Sequence, residues 1–370
     1  MQENYLHKDF DVGIMMCVEQ YKFVVVYVHL GVGFPPTLDA FSKFSNVKND
    51  NSLRILITDN EKLGAKFDGQ TIVIEGRSQA SNYLLKERGY YKKLASGYWI
   101  NTFERIFALR ALGKLPEISS LPIIHLESDV APLFNLEDVR FLEYNFTNVA
   151  VPRFSKLLGI GSFIFTPNVE KLISVVNSLE ELAIKNIDWL ENDMQLLGIA
   201  LNQELILELP SHPSDYFKRK YNSVNDYKLI FDGAALGQYL FGQDPFHQSG
   251  QRYSGFKNPA YSERTNLEAI KWKLGIDNQE SRLIMELDSI QFKVANLHVH
   301  SKEVLPPFSV NNARWIRAIE EANGVTDRKR EHTTELSPHS KRPNIWLRLQ
   351  IAKSNGFRRA LFSWITRRLL

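Results

Sequence analysis

The chain has 370 residues, of which 44% are hydrophobic and 24% are charged. This ordinary composition excludes long-range disorder and collagen, and the single cysteine, Cys17, excludes an intrachain disulfide scaffold. The net charge of +3 hides an asymmetry, because residues 328–370 hold 11 basic and 2 acidic residues while the preceding body is acidic.

The first half of the chain alternates predicted strands with predicted helices. Phe23–Val28 is a continuous apolar, β-branched run, which is typical of a strand buried on both faces. Strands alternating with helices predict an α/β fold with a mainly parallel sheet, whose ligands gather at the carboxyl ends of the strands. Further strands are predicted at 53–58, 71–74 and 121–126, and helices at 38–44 and 98–112.

The second half is more mixed. An amphipathic helix is predicted at 169–185 and an apolar helix ending at Leu201, with strands at 159–165 and 292–300. A polar, basic linker and an amphipathic segment follow. We therefore divide the chain into a main α/β domain, 1–312, which holds the candidate site residues discussed below, and a basic linker with an amphipathic C-terminal tail, 313–370.

Two acidic side chains follow the predicted strand 121–126. Glu127 and Asp129 are spaced i and i+2, so they project to the same side at a strand end. Such a pair suits a hard divalent cation, which prefers oxygen ligands. The alternative is a solvated acidic turn.

The late predicted strand carries a second polar cluster. Asn296, His298 and His300 share one face of a strand, and Lys302 follows. Two imidazoles on one face can ligate a metal, and a lysine can bind phosphate as a point charge. The alternative is one buried and one exposed histidine without a ligand.

Two further acids open helices. One is Asp193, in the segment Glu191-Asn-Asp193, and the other is Asp232, before a run of small residues. Both are candidates for contact with a substrate. Either could instead cap its helix. The small residues after Asp232 would also permit the close approach of a sugar.

The order and spacing of these motifs resemble the GT-A-type nucleotide-sugar glycosyltransferases, particularly those of bacterial surface-polysaccharide synthesis. The resemblance covers residues 20–305. It rests on the strand at 23–31, the helix with Arg105 and the sequence Ile-His-Leu-Glu-Ser-Asp-Val at 124–130. It continues through Glu-Asn-Asp at 191–193, Phe-Asp-Gly-Ala-Ala-Leu-Gly-Gln-Tyr at 231–239 and Asn-Leu-His-Val-His-Ser-Lys at 296–302. It implies a GT-A-like (Rossmann-like) α/β fold, a mixed, mainly parallel sheet flanked by helices.

The resemblance also implies a chemistry. A Mn²⁺ or Mg²⁺ ion at Asp129 and at His298 or His300 would hold the diphosphate of a nucleoside-diphosphate sugar, and a sugar would move to a hydroxyl of a saccharide or lipid-linked acceptor. This activity would be hexosyltransferase-like, in polysaccharide or glycolipid synthesis. Glu127 replaces the aspartate usual in that family. The catalytic candidates are Asp193 and Asp232, and the candidates for donor binding are His29, Gly31, Thr58, Asp59, Arg105, Glu127 and Lys302.

Two other functions stay open at this point. A metal-dependent hydrolase could be built on the pair His298 and His300, although such enzymes usually need further His or Asp ligands. A non-catalytic protein that binds carbohydrate or nucleotide is the third possibility.

The tail suggests where the protein acts. Phe357, Leu361, Trp364 and Ile365 fall on one helical face surrounded by arginines, a pattern typical of helices that bind an anionic membrane surface. Docking on the catalytic domain is the alternative. The sequence contains no nucleic-acid module. Without a signal peptide or a long apolar run, we expect a cytoplasmic protein, peripheral at the inner face of the membrane.

Overall fold

The computed structural model describes residues 21–31, 33–48, 51–87, 98–188, 190, 192–218, 227–242, 266–277, 280–301 and 304–324. The chain divides into two compact units, Met1–Asp327 and Arg328–Leu370, and every described residue belongs to the first. Cys17, Glu191, Lys302 and the predicted amphipathic tail lie outside the described residues.

The described residues form thirteen strands and ten α-helices. The strands are β1 Phe23–His29, β2 Ser52–Thr58, β3 Gln70–Val73, β4 Ile123–Leu126, β5 Val130–Pro132, β6 Ala150–Ser155, β7 Leu158–Gly159, β8 Phe163–Thr166, β9 Leu207–Leu209, β10 Leu229–Phe231, β11 Lys271–Asp277, β12 Glu280–Leu287 and β13 Ile290–His298. The helices are α1 Pro36–Lys48, α2 Glu61–Gly64, α3 Gln79–Glu87, α4 Tyr98–Ala108, α5 Leu136–Asn145, α6 Val169–Lys185, α7 Asp193–Asn202, α8 Pro213–Lys218, α9 Ala235–Phe241 and α10 Ala313–Ala322. Short 3₁₀ helices occupy Leu109–Lys114, Pro116–Ile118 and Leu267–Ala269.

The larger sheet has the strand order β3-β2-β1-β4-β8-β6-β7, with β9 beside β6. Strands β1 to β4 are parallel neighbours, whereas β8 runs antiparallel to β4. Alternate side chains of β1 enter two different hydrophobic cores, Val24 and Val26 on one face and Phe23 and Val25 on the other. The predicted strand buried on both faces and the predicted fold class, a mixed, mainly parallel sheet flanked by helices, are confirmed.

The smaller sheet has the order β10-β13-β12-β11, and β5 pairs with the end of β13. Because β4 belongs to the larger sheet and β5 to the smaller, the chain crosses between the two sheets at residues 127–129. Glu127 and Asp129, the acidic pair singled out from the sequence, lie in this connection between the sheets.

A side chain from a later part of the chain covers the edge strand β11 of the smaller sheet. The side-chain amide of Asn323 donates to the carbonyl of Trp272 on β11 and accepts from the N–H of Trp272, both at 2.8 Å. This pairing satisfies backbone groups that an edge strand otherwise presents to solvent. Helix α10 leads to Asn323 and buries Trp315. The boundary that we drew at 312–313 falls at the start of this helix.

Two predicted elements differ from the observed ones. The strand predicted at 159–165 is two strands, β7 and β8, separated by a short connection. The helix predicted at 98–112 is α-helical to Ala108 and continues as a 3₁₀ helix. None of the described helices is long and apolar enough to cross a membrane.

The backbone of helix α7 is in direct contact with the backbone at the start of β7. A Cβ added to Gly198 would stand 1.9 Å from the carbonyl oxygen of Leu157. We expect Gly198→Ala to lower the free energy of unfolding by about 1–3 kcal/mol through overpacking, although alanine ordinarily favours a helix. Urea denaturation measures this, with Gly33→Ala as the matched control, since an added Cβ there meets nothing within 4 Å. Equal stability of Gly198→Ala and the unsubstituted chain would refute the close contact.

Candidate metal centre

The crossing between the sheets is held by backbone hydrogen bonds on both sides. The N–H of Glu127 donates to the carbonyl of Ser162 at 3.1 Å, and the N–H of Val130 donates back to the carbonyl of Glu127 at 3.1 Å. The N–H of Val299 donates to the carbonyl of Asp129 at 2.8 Å. Both acidic residues therefore sit on a fixed backbone at the carboxyl end of β4.

Three side chains converge at this crossing. The Nε2 atom of His298 lies 3.2 Å from Oδ2 of Asp129 and 3.6 Å from Oε2 of Glu127. One ligand atom from each residue lies within 4.8 Å of the other two. His298 reaches the carboxylates because β13 pairs with β5, with His298 opposite Val130.

This set of donors fits a divalent cation. Carboxylate oxygens and imidazole nitrogens are common ligands of divalent metal ions, and the separations of these three atoms are short enough for one ion to contact all of them. The other oxygen of Glu127, Oε1, accepts from Nη2 of Arg105 at 2.8 Å. The arginine thus fixes the carboxylate while leaving Oε2 turned toward His298.

The two candidate histidines occupy different positions. His298 is the last residue of β13 and belongs to the cluster with Glu127 and Asp129, whereas His300 lies beyond the strand. The N–H of His300 donates to the carbonyl of His298 at 3.0 Å, and the two ring centroids are 4.1 Å apart. His300 therefore lies outside the cluster, and its ring packs against the ring of His298.

Asp232 is fully buried behind His298. Its Oδ2 accepts from the N–H groups of His298 at 2.9 Å and Gly237 at 2.8 Å, and its Oδ1 accepts from the N–H of Leu236 at 2.9 Å. Burial raises the pKa of Asp232, while these N–H donors act in the opposite direction. Its carboxylate thus joins the start of helix α9 to the end of β13.

Asp193 is the first residue of α7 and is buried. Burial raises the pKa of its carboxyl group, and the nearby charge of Glu127 raises it further, while the charge of Arg105 and a hydrogen bond from Thr102 lower it. Asp193 therefore shares an electrostatic environment with Arg105 and Glu127. Thr102 and Arg105 are spaced i and i+3 on α4, so one helix face supplies both partners.

The ends of the first two strands carry four of the predicted residues. The N–H of Gly31 donates to Oδ1 of Asp59 at 2.9 Å, and Gly31 has a φ of 134°, which favours glycine. Thr58 accepts from the N–H of Asn60 at 3.2 Å. The ring of His29 contacts the carbonyl of Gly33 at 2.5 Å, and burial and the charge of Arg105 lower the pKa of His29.

Sequence reasoning missed two buried residues of this region. Arg105 was an expected donor-binding residue, but its pairing with Glu127 was not predicted, and neither was the contact of Thr102 with Asp193. The i, i+3 spacing of Thr102 and Arg105 places them on one helix face but does not indicate which acids they contact. His125 on β4 is also buried, its Nδ1 contacts the carbonyl of Val26 at 3.1 Å, and burial lowers its pKa to about 3.

Comparisons with known proteins give loose likenesses. No protein-family model and no curated protein matches the chain. Among solved structures, the glycosyltransferase GlyE of Streptococcus pneumoniae TIGR4 is 15% identical, with 54% of this chain and 47% of GlyE covered and a TM-score of 0.36. Mouse xyloside xylosyltransferase 1 is 11% identical, with 55% and 94% covered and a TM-score of 0.34.

The galactosyltransferase LgtC, solved with donor and acceptor sugar analogs, is 10% identical, with 55% of this chain and 80% of LgtC covered and a TM-score of 0.35. The chain spans about half the length of GlyE. TM-scores this low indicate only a loose resemblance, and the function of this chain rests on the geometry of its own site.

Proposed function

We propose that the protein is a metal-dependent glycosyltransferase that uses a nucleoside-diphosphate sugar. The observation that supports this most is the convergence of Glu127, Asp129 and His298 at the carboxyl end of β4, the edge of an α/β sheet where ligands bind. Arg105 adds a cation beside the carboxylate of Glu127. An oxygen-rich cation site with a neighbouring arginine suits a diphosphate.

We assign separate roles in this reaction to the residues of the site. When bound, Mn²⁺ or Mg²⁺ supplies Lewis acidity toward the departing diphosphate. Asp129 and His298 would hold that ion together with Oε2 of Glu127, whose other oxygen is fixed by Arg105. We assign nucleoside binding to the ends of β1 and β2, with His29, Gly31, Thr58 and Asp59, and phosphate binding to Lys302, as the sequence suggested.

Asp193 is our candidate for the group that receives the acceptor proton. In the transfer, the bond between the sugar C1 and the diphosphate oxygen breaks, its electron pair leaves with the diphosphate, and C1 bonds to the acceptor oxygen. The hydroxyl proton moves to the Asp193 carboxylate. A carboxyl whose pKa is raised by burial is a better base near neutral pH than an exposed one.

We predict that Asp193→Asn lowers the rate of sugar transfer by about 10²-fold or more while the fold is kept.

The raised pKa of Asp193 also predicts how stability depends on pH. It means that the folded state binds this proton more tightly than the unfolded state. Its contribution to stability is therefore present below the unfolded pKa and lost as pH rises through the folded pKa. Asparagine removes that loss, so the melting temperature at pH 8 should equal or exceed that of the unsubstituted chain. Full transfer activity in Asp193→Asn would refute the assignment.

The biological setting is part of the proposal. A saccharide or lipid-linked acceptor, in polysaccharide or glycolipid synthesis, would bring the enzyme to the inner face of a membrane, where the basic tail would bind anionic lipid. Flotation with phosphatidylserine vesicles, comparing the full chain with a chain ending at Arg328, tests the tail. Equal flotation of the two would contradict it.

Donor turnover distinguishes this function from a hydrolase or a binding protein. Incubation with UDP-, GDP- and CMP-sugars and Mn²⁺ should release nucleotide from at least one donor. Hydrolysis of simple esters without release of nucleotide would favour a hydrolase. Binding of a donor without turnover in the presence of any acceptor would favour a binding protein.

A further inference from the structure

The position of His298 depends on a buried frame behind the cluster, formed by Asp232, Asn296, Gly237 and the backbone of His298. The Asn296 side chain accepts from the N–H of Asp232 at 3.1 Å and donates to its carbonyl at 3.3 Å. The Asp232 carboxylate in turn accepts from the N–H of His298 at 2.9 Å. Asp232 and Asn296 both have 0% exposed area, so this pairing is shielded from water.

Helix α9 closes the frame at a distance that only glycine permits. A Cβ added to Gly237 would stand 2.1 Å from the carbonyl oxygen of His298 and 3.0 Å from Oδ2 of Asp232. The backbones of α9 and of the end of β13 are therefore in direct contact. A larger residue at 237 would push His298, whose ring reaches the carboxylates, out of its position.

The backbone before α9 is strained in the same place. Ala234, the residue just before α9, has a φ of 81°, a left-handed conformation that costs a non-glycine residue free energy. Such strain persists only where the surroundings over-determine it, and it concentrates at functional sites. Here the hydrogen bonds from Leu236 and Gly237 to Asp232 hold the strained turn in place.

We propose that Asp232, Asn296 and Gly237 are positioning residues, which set the backbone of His298 so that its Nε2 stays 3.2 Å from Asp129. This replaces the catalytic role that we expected for Asp232 from sequence, since its three contacts are with backbone N–H groups and it has no exposed area. The inference rests on the proposed metal centre. Residues that orient a metal ligand typically change metal affinity when they are removed.

The test measures Mn²⁺ affinity of the full-length protein by calorimetry and by electron paramagnetic resonance, without donor. Asp232→Asn keeps the shape but replaces one acceptor oxygen with a donor, and we expect it to weaken Mn²⁺ binding about tenfold or more. Asp215→Asn is the matched control, because Asp215 is also buried and accepts from two backbone N–H groups, of Ser211 and His212, at 3.0 Å. It should lower the melting temperature and leave Mn²⁺ affinity within about twofold.

A second variant covers the case in which Asp232→Asn does not fold. Gly237→Ala retains the carboxylate but crowds the His298 carbonyl, and we expect a similar loss of Mn²⁺ affinity. Unchanged affinity in a folded Asp232→Asn or Gly237→Ala protein would overturn the inference, as would an equal loss in Asp215→Asn. If the unsubstituted protein binds no Mn²⁺, the proposed metal centre itself fails, and this outcome is distinct from the others.

Discussion

Asp129→Asn should reduce metal-dependent release of nucleotide from the sugar donor by about 10³-fold, which corresponds to about 4 kcal/mol of lost transition-state stabilisation. Asp129 is 4% exposed, and its Oδ2 lies 3.2 Å from Nε2 of His298. Asparagine preserves the size of the side chain but removes the negative charge that a divalent cation requires. The loss should therefore appear in activity and in Mn²⁺ affinity.

The controls separate chemistry from folding. Melting temperatures measured without metal should be close for Asp129→Asn and the unsubstituted protein, and Mn²⁺ should stabilise only the latter. Asp39→Asn is the control for charge, since Asp39 is half exposed and pairs with Lys43 on the same helix; it should keep full activity. Activity of Asp129→Asn within tenfold of normal would contradict the assignment.

Arg282→Met should lower the free energy of unfolding by about 3–5 kcal/mol, because it leaves a buried carboxylate without its cation. The Arg282 side chain is 2% exposed and Nη1 donates to Oδ2 of Asp138 at 2.6 Å, while Asp138 is 0% exposed. The Tyr227 hydroxyl donates to the other oxygen of Asp138, and burial and the charge of Asp138 raise the pKa of Tyr227. Asp138 also accepts from the N–H of Asn135 at 2.7 Å and so caps helix α5.

Two comparisons test whether the buried charge is the cause. Arg54→Met removes the arginine of the pair with Asp68, whose side chain is 72% exposed, and should cost under about 1 kcal/mol. The double variant Arg282→Met/Asp138→Asn should be more stable than Arg282→Met alone, since no unpaired charge remains. Urea denaturation measures all four proteins. A double variant less stable than Arg282→Met would show that packing, not charge, accounts for the loss.

The sequence predicted the elements whose patterns are local. The β-branched run at 23–28 identified β1, and the helical spacing at 169–185 identified α6 with the bounds that the structure has. The acidic pair after 121–126 was predicted at a strand end because a buried run stops there. Strands β11 and β12 were not predicted, although Lys271-Trp-Lys-Leu274 alternates charged and apolar residues as a half-buried strand does.

The choice between the histidines required the tertiary structure. A strand through residue 300 would put Asn296, His298 and His300 on one face, so sequence left both histidines as candidates. Strand β13 ends at His298, and the chain turns there, which removes His300 from that face. Which histidine meets Asp129 depends on the register between β13 and β5, and no local pattern encodes that pairing.

The pairing of Arg105 with Glu127 was hidden for a similar reason. An arginine on an amphipathic helix and an acid after a strand give no sign of contact when 22 positions separate them in the sequence. Asp232 presented two functions that the sequence could not separate, a cap for α9 or a group that meets the substrate. Its contact with the N–H of His298 comes from 66 positions away.

The central claim is that Glu127, Asp129 and His298 hold a cation that the transfer needs. Release of nucleotide from UDP-, GDP- and CMP-sugars, measured with the full-length protein after chelation and after addition of Mn²⁺, tests it most directly. We predict that the protein turns over at least one donor, that this turnover stops when the metal is chelated, and that it returns when Mn²⁺ is added. We also predict that His298→Ala loses most of this turnover, whereas His300→Ala retains most of it. Turnover unaffected by chelation, or turnover that survives His298→Ala, would contradict the claim.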